Sequence, residues 1–232
     1  MCYSDLTTCK QIKEYLTNQD IIIASKGMEK DIVLSQVIEE ELGINPSVIS
    51  GPSHAEEMAK DLPTFVDFAG NKDLIADLIT DKFHITYITD KIVMQVGAAL
   101  KNVLALANGL CEAVGYEKNV ISYLIVTGLK EIKNIGLVLG GKEETFYGLS
   151  GLGDLLTTAF SDNSRNKRAG TLLNKGYSVE EIKEKIGMVV EGFETLKNAQ
   201  YIIEKHKLYS PIISNLYEIV YNKKDVKEII NI

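Results

Sequence analysis

The feature that most constrains the fold is a long apolar stretch after Asp90, in which large side chains recur every three or four positions. Such a repeat places these side chains on one stripe of an α-helix, and a stripe of this length predicts a helix at the centre of a core. The stripe consists of Ile92, Val93, Val96, Leu100, Val103, Leu104, Ala107 and Leu110. Further helical patterns follow at residues 119–139, 164–174, 180–186, 193–206 and 212–221. We therefore predict an all-helical domain at residues 90–232.

The chain in front of Asp90 has a different pattern, in which short apolar runs alternate with helix-like segments. The wholly apolar run at residues 21–25 is typical of a strand buried on both faces. Further strands are predicted at 48–50, 64–69 and 84–89, and helices at 6–16, 31–42, 55–60 and 72–80. The segment from Thr8 to Gln11 fits a capping box within the first helix. This alternation predicts that residues 1–89 form an α/β fragment of a doubly wound sheet.

Composition narrows the functional class. The chain has 232 residues with 45% hydrophobic side chains, which is ordinary for a globular protein, and its net charge of −7 argues against nucleic-acid binding. Its cysteines, Cys2, Cys9 and Cys111, are odd in number and show no metal-ligand spacing with the histidines, so no metal is expected. The N-terminus lacks the pattern of a signal peptide, and no uncharged run is long enough to cross a bilayer. We expect a reduced, cytoplasmic protein without membrane insertion.

Two segments of the α/β part carry candidate binding residues. Gly51 and Pro52 form a turn after a predicted strand, and Ser53 with Glu56 fits a capping box, which would leave backbone N–H groups free for an anion. A capped helix without any ligand is the alternative, and His54 fits a surface residue at a helix start better than a catalyst. Lys26 follows a buried strand at the edge where α/β sheets bind ligands, although a lysine there is usually just solvated.

Lys101 lies in the middle of the long predicted helix. Its neighbours one helical turn away, Gly97, Ala98 and Ala105, are all small and leave room for a substrate or another backbone. A lysine in such a partly dry setting can lose several pKa units and act as an acid or base. The alternative is a lysine that extends from a buried helix to solvent.

Polar residues also follow the glycine-rich segment at 148–153. Asp154 comes directly after it and would either cap a helix or pair with a buried lysine. Ser164, Arg165 and Asn166 are consecutive polar donors at a predicted helix start, a combination suited to phosphate. The glycine-rich segment itself lacks the spacing and the preceding strand of a dinucleotide fingerprint.

In their order along the chain, six segments resemble those of the bacterial NAD(P)-dependent glycerol-3-phosphate dehydrogenases. They are Ala-Ser-Lys-Gly-Met-Glu at 24–29, Ser-Gly-Pro-Ser-His-Ala-Glu-Glu at 50–57, Gly-Ala-Ala-Leu-Lys-Asn-Val at 97–103, Gly-Leu-Ser-Gly-Leu-Gly-Asp-Leu at 148–155, Ser-Arg-Asn-Lys-Arg at 164–168 and Gly-Met-Val-Val-Glu-Gly at 187–192. The resemblance runs from about residue 20 to the end. It implies a partial Rossmann-like dinucleotide-binding domain at 1–89 and a helical substrate and catalytic domain, similar to that of 6-phosphogluconate-dehydrogenase-like enzymes, at 90–232.

The resemblance also implies an activity and a set of site residues. The reaction would be the reversible reduction of dihydroxyacetone phosphate to sn-glycerol 3-phosphate with NAD or NADP, for glycerophospholipid synthesis. Lys101 would be the catalytic acid/base and Asp154 its partner. The residues implied to contact substrate are Lys26, Gly51, Ser53, Lys101, Asp154, Ser164, Arg165 and Asn166. Those implied to contact the cofactor are Lys26, Ala55, Arg165, Val189 and Glu191.

Two departures from the family pattern stand out. Thr127 occupies the position of an arginine in a segment where relatives usually have Thr-Arg-Gly-Leu. In addition, no Gly-x-Gly-x-x-Gly segment occurs in the chain. The sequence thus leaves an alternative open, a catalytically inactive, truncated remnant that acts as a binding or oligomerisation module. Uncovered sheet edges are compatible with a homodimer. A related phosphogluconate or hydroxyacid dehydrogenase fits less well, because the Gly-Pro-Ser and Arg-Asn signatures differ there.

Overall fold

The computed structural model describes residues 13, 15, 16, 19–161 and 164–230. The capping box at Thr8 to Gln11 lies outside these residues, as does most of the helix predicted at 6–16. The strands are β1 (Ile22–Ile23), β2 (Met28–Glu29), β3 (Ile32–Val33), β4 (Ser47–Ser50), β5 (Thr64–Ala69) and β6 (Phe83–Tyr87). The helices are α1 (Leu34–Leu42), α2 (Ala55–Met58), α3 (Ile75–Leu78), α4 (Lys91–Val114), α5 (Lys118–Val138), α6 (Asp154–Ala159), α7 (Arg165–Asn174), α8 (Val179–Ile186), α9 (Glu191–His206) and α10 (Pro211–Asn222). Short 3₁₀ segments lie at Lys72–Leu74, Glu143–Tyr147 and Val226–Ile230, and a π-helical turn at Leu149–Gly153.

The sheet of the first part has the strand order β1-β4-β5-β6. Strands β1 and β4 are parallel, as are β5 and β6, while β4 and β5 pair antiparallel. The structure thus contains the expected Rossmann-like sheet fragment, with one antiparallel pairing in its middle. The carboxyl ends of β1 and β4 lie side by side, which is the edge where sheets of this kind bind ligands.

One predicted helix begins later than expected. Instead of starting at residue 31, α1 starts at Leu34, because β2 and β3 form a small antiparallel hairpin. Lys30 turns this hairpin with a positive φ of 53°. The backbone N–H of Val33 then donates to Oε1 of Gln36 at 3.2 Å, which satisfies a donor at the start of the helix.

Helix α4 is the centre of the helical part. Its residues from Val93 to Cys111 are buried on every side, because α5, α6, α7 and α9 pack around it. The same helix is long and apolar enough to cross a membrane by length and composition alone, yet 94% of its most apolar stretch is buried inside the protein. Its central position accounts for its apolar character.

The other helices predicted after Asp90 lie close to their expected positions, whereas α6 was not predicted. Ser178 caps α8 through the N–H of Glu181, and Glu181 returns a hydrogen bond to the N–H of Ser178, which confirms the capping box predicted there. Boundaries elsewhere in the helical part differ from prediction by one or two residues, the usual uncertainty at helix ends.

Candidate active site

A polar cleft of about 370 Å³ lies between the carboxyl edge of the sheet and the helical part. Lys26 and Ser53 reach it from the loops that follow β1 and β4, and they also line an adjoining cavity of about 260 Å³. From the helical part the cleft receives Lys101, Asn102, Asp154, Thr158, Ser164, Arg165 and Asn166. Segments separated by more than 100 residues along the chain thus meet in one place.

Lys101 and Asp154 form a buried ion pair at the base of this cleft. They are only 4% and 2% exposed, and Nζ of Lys101 donates to Oδ1 of Asp154. Burial lowers the pKa of Lys101 to about 8, while the charge of Asp154 opposes this shift and the nearby Lys26 adds to it. The lysine is therefore not a side chain that extends to solvent, and its pKa lies near the range useful for acid/base chemistry.

The small residues near Lys101 admit another backbone. A Cβ atom on Gly97 would lie 2.7 Å from the carbonyl oxygen of Ser150, so the π-helical turn rests directly on α4. This turn leads into α6, whose first residue is Asp154. Asp154 is thus paired with Lys101 rather than serving as a helix cap, since Gly153 holds the cap position. Its Oδ2 atom is buried without a hydrogen-bond partner among the described residues.

The start of α7 faces the same cleft. Ser164 caps this helix by accepting from the N–H of Lys167 at 3.3 Å. Nη1 of Arg165 donates to the carbonyl oxygen of Val189 at 3.1 Å, which ties the arginine to the loop before α9. Val189 is itself 65% exposed and is not among the described residues that line the cleft. The predicted polar cluster at 164–166 therefore lies beside the Lys101–Asp154 pair, as part of one cleft.

A side-chain network joins three helices behind this cluster. Asn166 donates to Oδ1 of Asn102 at 2.9 Å and accepts from the N–H of Gly192 at 2.9 Å. Asn102 in turn donates to Oε2 of Glu191 at 2.8 Å. Sequence reasoning singled out Asn166 and Glu191 but missed Asn102, although it follows Lys101 directly. The network fixes the distance between α4, α7 and the start of α9.

The segment after β4 differs from the prediction. Ser53 does not form a capping box with Glu56, because its hydroxyl donates to the carbonyl oxygen of Gly51 at 3.1 Å. His54 is the N-terminal flanking residue of the four-residue helix α2, and it is half-buried, with Nε2 3.3 Å from the carbonyl oxygen of Thr157. The anion site predicted at a capped helix start is therefore not built in that form, although Ser53 does reach the cleft.

Two predicted site residues, Gly51 and Ala55, are not among the described residues that line the polar cleft. Gly51 lines the smaller cavity, and a Cβ atom there would lie 2.9 Å from Cα of Val66, so the turn needs glycine. Ala55 is exposed at the first position of α2. Thr127 is half-buried in α5 and is not among the described residues that line the cleft.

Comparison with known proteins gives the same family along the chain. The family model described as NAD-dependent glycerol-3-phosphate dehydrogenase C-terminus matches residues 90–231, and the model for the N-terminus matches residues 6–76. A glycerol-3-phosphate dehydrogenase [NAD(P)+] of Clostridium tetani is 44% identical over 94% of this chain and 65% of its own length. A protein of that name from Fusobacterium nucleatum is 40% identical over 96% of this chain and 70% of its own.

A solved structure supports the assignment at the level of the fold. The crystal structure of glycerol-3-phosphate dehydrogenase from Coxiella burnetii superposes with a TM-score of 0.91 at 33% identity, over 97% of this chain and 72% of that one. The chain spans about two thirds of the length of the relatives that it matches. With both family models matched and this identity along nearly the whole chain, the protein belongs to the NAD-dependent glycerol-3-phosphate dehydrogenase family.

Proposed function

We propose that this chain carries the catalytic centre of a glycerol-3-phosphate dehydrogenase, which interconverts dihydroxyacetone phosphate and sn-glycerol 3-phosphate with NAD or NADP. The observation that carries the proposal is the buried Lys101–Asp154 pair, which opens onto a cleft that also holds Lys26 and Arg165. A titratable lysine with a fixed carboxylate partner suits proton transfer, and the surrounding cations suit a phosphate ester.

The residues of the sheet edge fit the nicotinamide end of a dinucleotide. The smaller cavity has an apolar wall that includes Met94 and Ala98, which suits a flat ring. Ser50 also lines this cavity, and its hydroxyl is buried without a partner among the described residues, so it could bond a carboxamide. The residues that we propose to hold the cofactor are Lys26, Ala55, Arg165, Val189 and Glu191. A nicotinamide dinucleotide held by these residues would supply the hydride that reduces the carbonyl carbon of the substrate.

We assign the proton transfer to Lys101. In the reducing direction its ammonium would donate a proton to the carbonyl oxygen, and in the oxidising direction its amine would accept the hydroxyl proton. Asp154 would hold the lysine in place and favour its charged form through the contact at Oδ1. Lys26 would lie beside the reacting carbonyl, where a second cation lowers the pKa of Lys101 and so eases proton release.

The phosphate of the substrate would lie at the start of α7. Ser164, Arg165 and Asn166 meet there, and Gly51 and Ser53 would contact the substrate from the sheet side. Arg165 offers a planar pair of donors for phosphate oxygens and would exchange its bond with Val189 for them. We expect Arg165→Ala to raise the KM for dihydroxyacetone phosphate by about 100-fold, the loss of one charge-assisted pair of hydrogen bonds. An unchanged KM would remove this assignment.

The test of the proposed function is oxidation of NADH and NADPH by the purified chain with dihydroxyacetone phosphate. Turnover that disappears in Lys101→Ala and persists in Lys133→Ala, a control at an outer ion pair with Glu143, would support it. A folded chain that binds neither dinucleotide would instead favour the alternative of an inactive binding or oligomerisation module. Comparing the two nucleotides would also establish the preference between NAD and NADP.

The proposal extends to the domain organisation, cellular location and self-association of the protein. We infer that residues 1–89 and 90–232 are separate domains, which the change from sheet to helices supports. We also propose a cytoplasmic protein whose product feeds glycerophospholipid synthesis, and self-association as a homodimer. Size-exclusion chromatography with light scattering tests the last point, since a monomer would contradict it.

A further inference from the structure

Asp67 is a buried carboxylate in the middle of strand β5. It is 4% exposed, and its strand neighbours Val66 and Phe68 are buried apolar residues. A charged group in such a place is costly unless hydrogen bonds compensate it. Its Oδ2 atom accepts a hydrogen bond of 2.8 Å from the backbone N–H of Ser150, which lies 83 residues further along the chain. Asp67 therefore connects the sheet with the π-helical turn of the helical part.

Ser150 is held from two sides through its backbone. It is completely buried, and its hydroxyl has no partner within the described part of the chain, so the side chain does not fix it. Its N–H is bound by Asp67, while its carbonyl oxygen lies against Gly97 on α4. The π-helical turn is thus clamped between the sheet and the helix that carries Lys101.

The clamped turn ends at the catalytic pair. It runs from Leu149 to Gly153, and the next residue is Asp154, the partner of Lys101. A shift of the turn would move the Asp154 carboxylate along Lys101. Since Asp154 contacts the lysine through Oδ1 alone, a small displacement is enough to weaken the pair.

From this arrangement we propose that Asp67 is a positioning residue, which fixes Asp154 against Lys101 through the backbone of Ser150. The inference rests on the proposed function of the Lys101–Asp154 pair but concerns its geometry. A hydrogen bond from an amide to a carboxylate is shorter and stronger than one between neutral groups, which suits a clamp. The sheet part thereby contributes to the acid/base centre without touching the substrate.

Asp90 provides a matched comparison. It is likewise a buried aspartate, 6% exposed, and its Oδ2 atom accepts from the backbone N–H of Lys142 at 2.7 Å. Both residues belong to the helical part, and Oδ1 of Asp90 also accepts from the N–H of Val93 at 3.0 Å, which caps α4. Lys142, however, precedes the 3₁₀ segment Glu143–Tyr147 and lies 12 residues before Asp154. Loss of this bond should loosen the structure without displacing the π-helical turn.

The experiment follows the titration of Lys101 by NMR in the chain labelled with ¹³C,¹⁵N-lysine, with Lys101→Arg to assign the signal. In the described part of the chain, the charged groups that influence this titration are Asp154 and Lys26. We expect Asp67→Ala to lower the apparent pKa of Lys101 by about one unit, because the attraction of Asp154 is weakened. Asp67→Asn should leave it unchanged, because the amide oxygen still accepts the N–H of Ser150.

Thermal unfolding of each variant separates the positioning role from general loosening. Asp90→Ala should lower the melting temperature yet leave the titration of Lys101 unchanged. An unchanged titration in folded Asp67→Ala, or an equal shift in Asp90→Ala, would overturn the proposal. If Asp67→Ala does not fold, Asp67→Val suits the strand and removes the same acceptor. The readout needs no turnover, so a chain that proves inactive would refute the proposed function without deciding this inference.

Discussion

At the scale of single residues, the pKa of Lys101 predicts how the reaction depends on pH. Burial lowers that pKa to about 8, and the reduction of a ketone needs the protonated lysine. We therefore expect kcat for dihydroxyacetone phosphate reduction to fall as the pH rises above about 8. In Asp154→Asn the opposing charge is lost, so the fall should begin at lower pH. Measuring kcat against pH for both proteins checks this. A fall that begins at the same pH in both would contradict it.

Glu131 is a second buried ionisable group, remote from the cleft. It accepts from the N–H groups of Ile212 and Ile213 at 2.9 and 3.0 Å and so caps α10. Burial nevertheless outweighs these bonds and raises the pKa of Glu131 to about 7. Because the folded chain then holds this proton more tightly than the unfolded chain, its contribution to stability is largest below pH 4.5 and is lost as the pH rises through about 7.

The prediction for Glu131 is a difference in pH dependence. Between pH 5 and pH 8, the free energy of unfolding should fall by roughly 2 kcal/mol more in the unchanged chain than in Glu131→Gln, which cannot titrate. Urea unfolding at both pH values measures this difference. Exposed Glu180→Gln is the control and should retain the pH dependence of the unchanged chain. If the free energy of unfolding changes equally between the two pH values in the unchanged chain and in Glu131→Gln, Glu131 does not titrate in this range.

The same residues show what the sequence could reveal. Lys101 was recognisable because small residues surround its long side chain in an apolar helix, and Asp154 because it follows a glycine-rich segment. Asp67 and Glu131 were not, since their partners are backbone N–H groups 83 and 81 residues away. Every residue except proline carries a backbone N–H group, so no residue type in the sequence marks such a partner. These contacts become visible only in the structure.

At the scale of elements, the crossing of α4 and α7 depends on two glycines. A Cβ on Gly109 would lie 1.9 Å from the carbonyl oxygen of Lys167, and one on Gly170 would lie 2.1 Å from that of Leu106. We expect Gly109→Ala and Gly170→Ala each to destabilise the fold by about 1–3 kcal/mol, because the helices must move apart. Urea unfolding measures this loss. Gly153→Ala, with no atom nearer than 3.6 Å, should lose far less, and comparable losses in all three would contradict the packing argument.

Elements with strong local signals were predicted well, and those that depend on tertiary contacts were not. Helix α4 follows from its apolar repeat, and α8 from its capping box. The β2–β3 hairpin occupies residues that read as the start of a helix, because Asn198 donates to the carbonyl oxygen of Met28 and the hairpin packs on α9. At Ser53 a local turn replaced the expected cap, which a pattern of residue types does not distinguish.

At the scale of the whole molecule, the described residues include two buried hydrophobic clusters of unequal size. The larger lies among the helices and also receives Met28 and Val33 from the hairpin. The smaller fills the space between the sheet, α1 and α4, and its buried members are Ile23, Leu34, Val37, Ile38, Val48, Ala69 and Met94. Stability follows buried apolar area, so the sheet part should open more readily than the helical part.

Met94 belongs to α4 but packs in the smaller cluster, so it links the two parts. Truncating a buried methionine to alanine destabilises its surroundings by about 2–5 kcal/mol. We expect Met94→Ala to speed amide hydrogen exchange in β4 and α1 by at least about tenfold, which corresponds to about 1.4 kcal/mol of local opening. Exchange in the second half of α4 should stay unchanged.

Mass spectrometry of exchanged peptides measures both regions, with the exposed Met58→Ala as the control. Equal acceleration in both regions would mean that the sheet and helices open as one unit. The sheet edge of the cleft could then not loosen around a ligand while the Lys101–Asp154 pair stays intact.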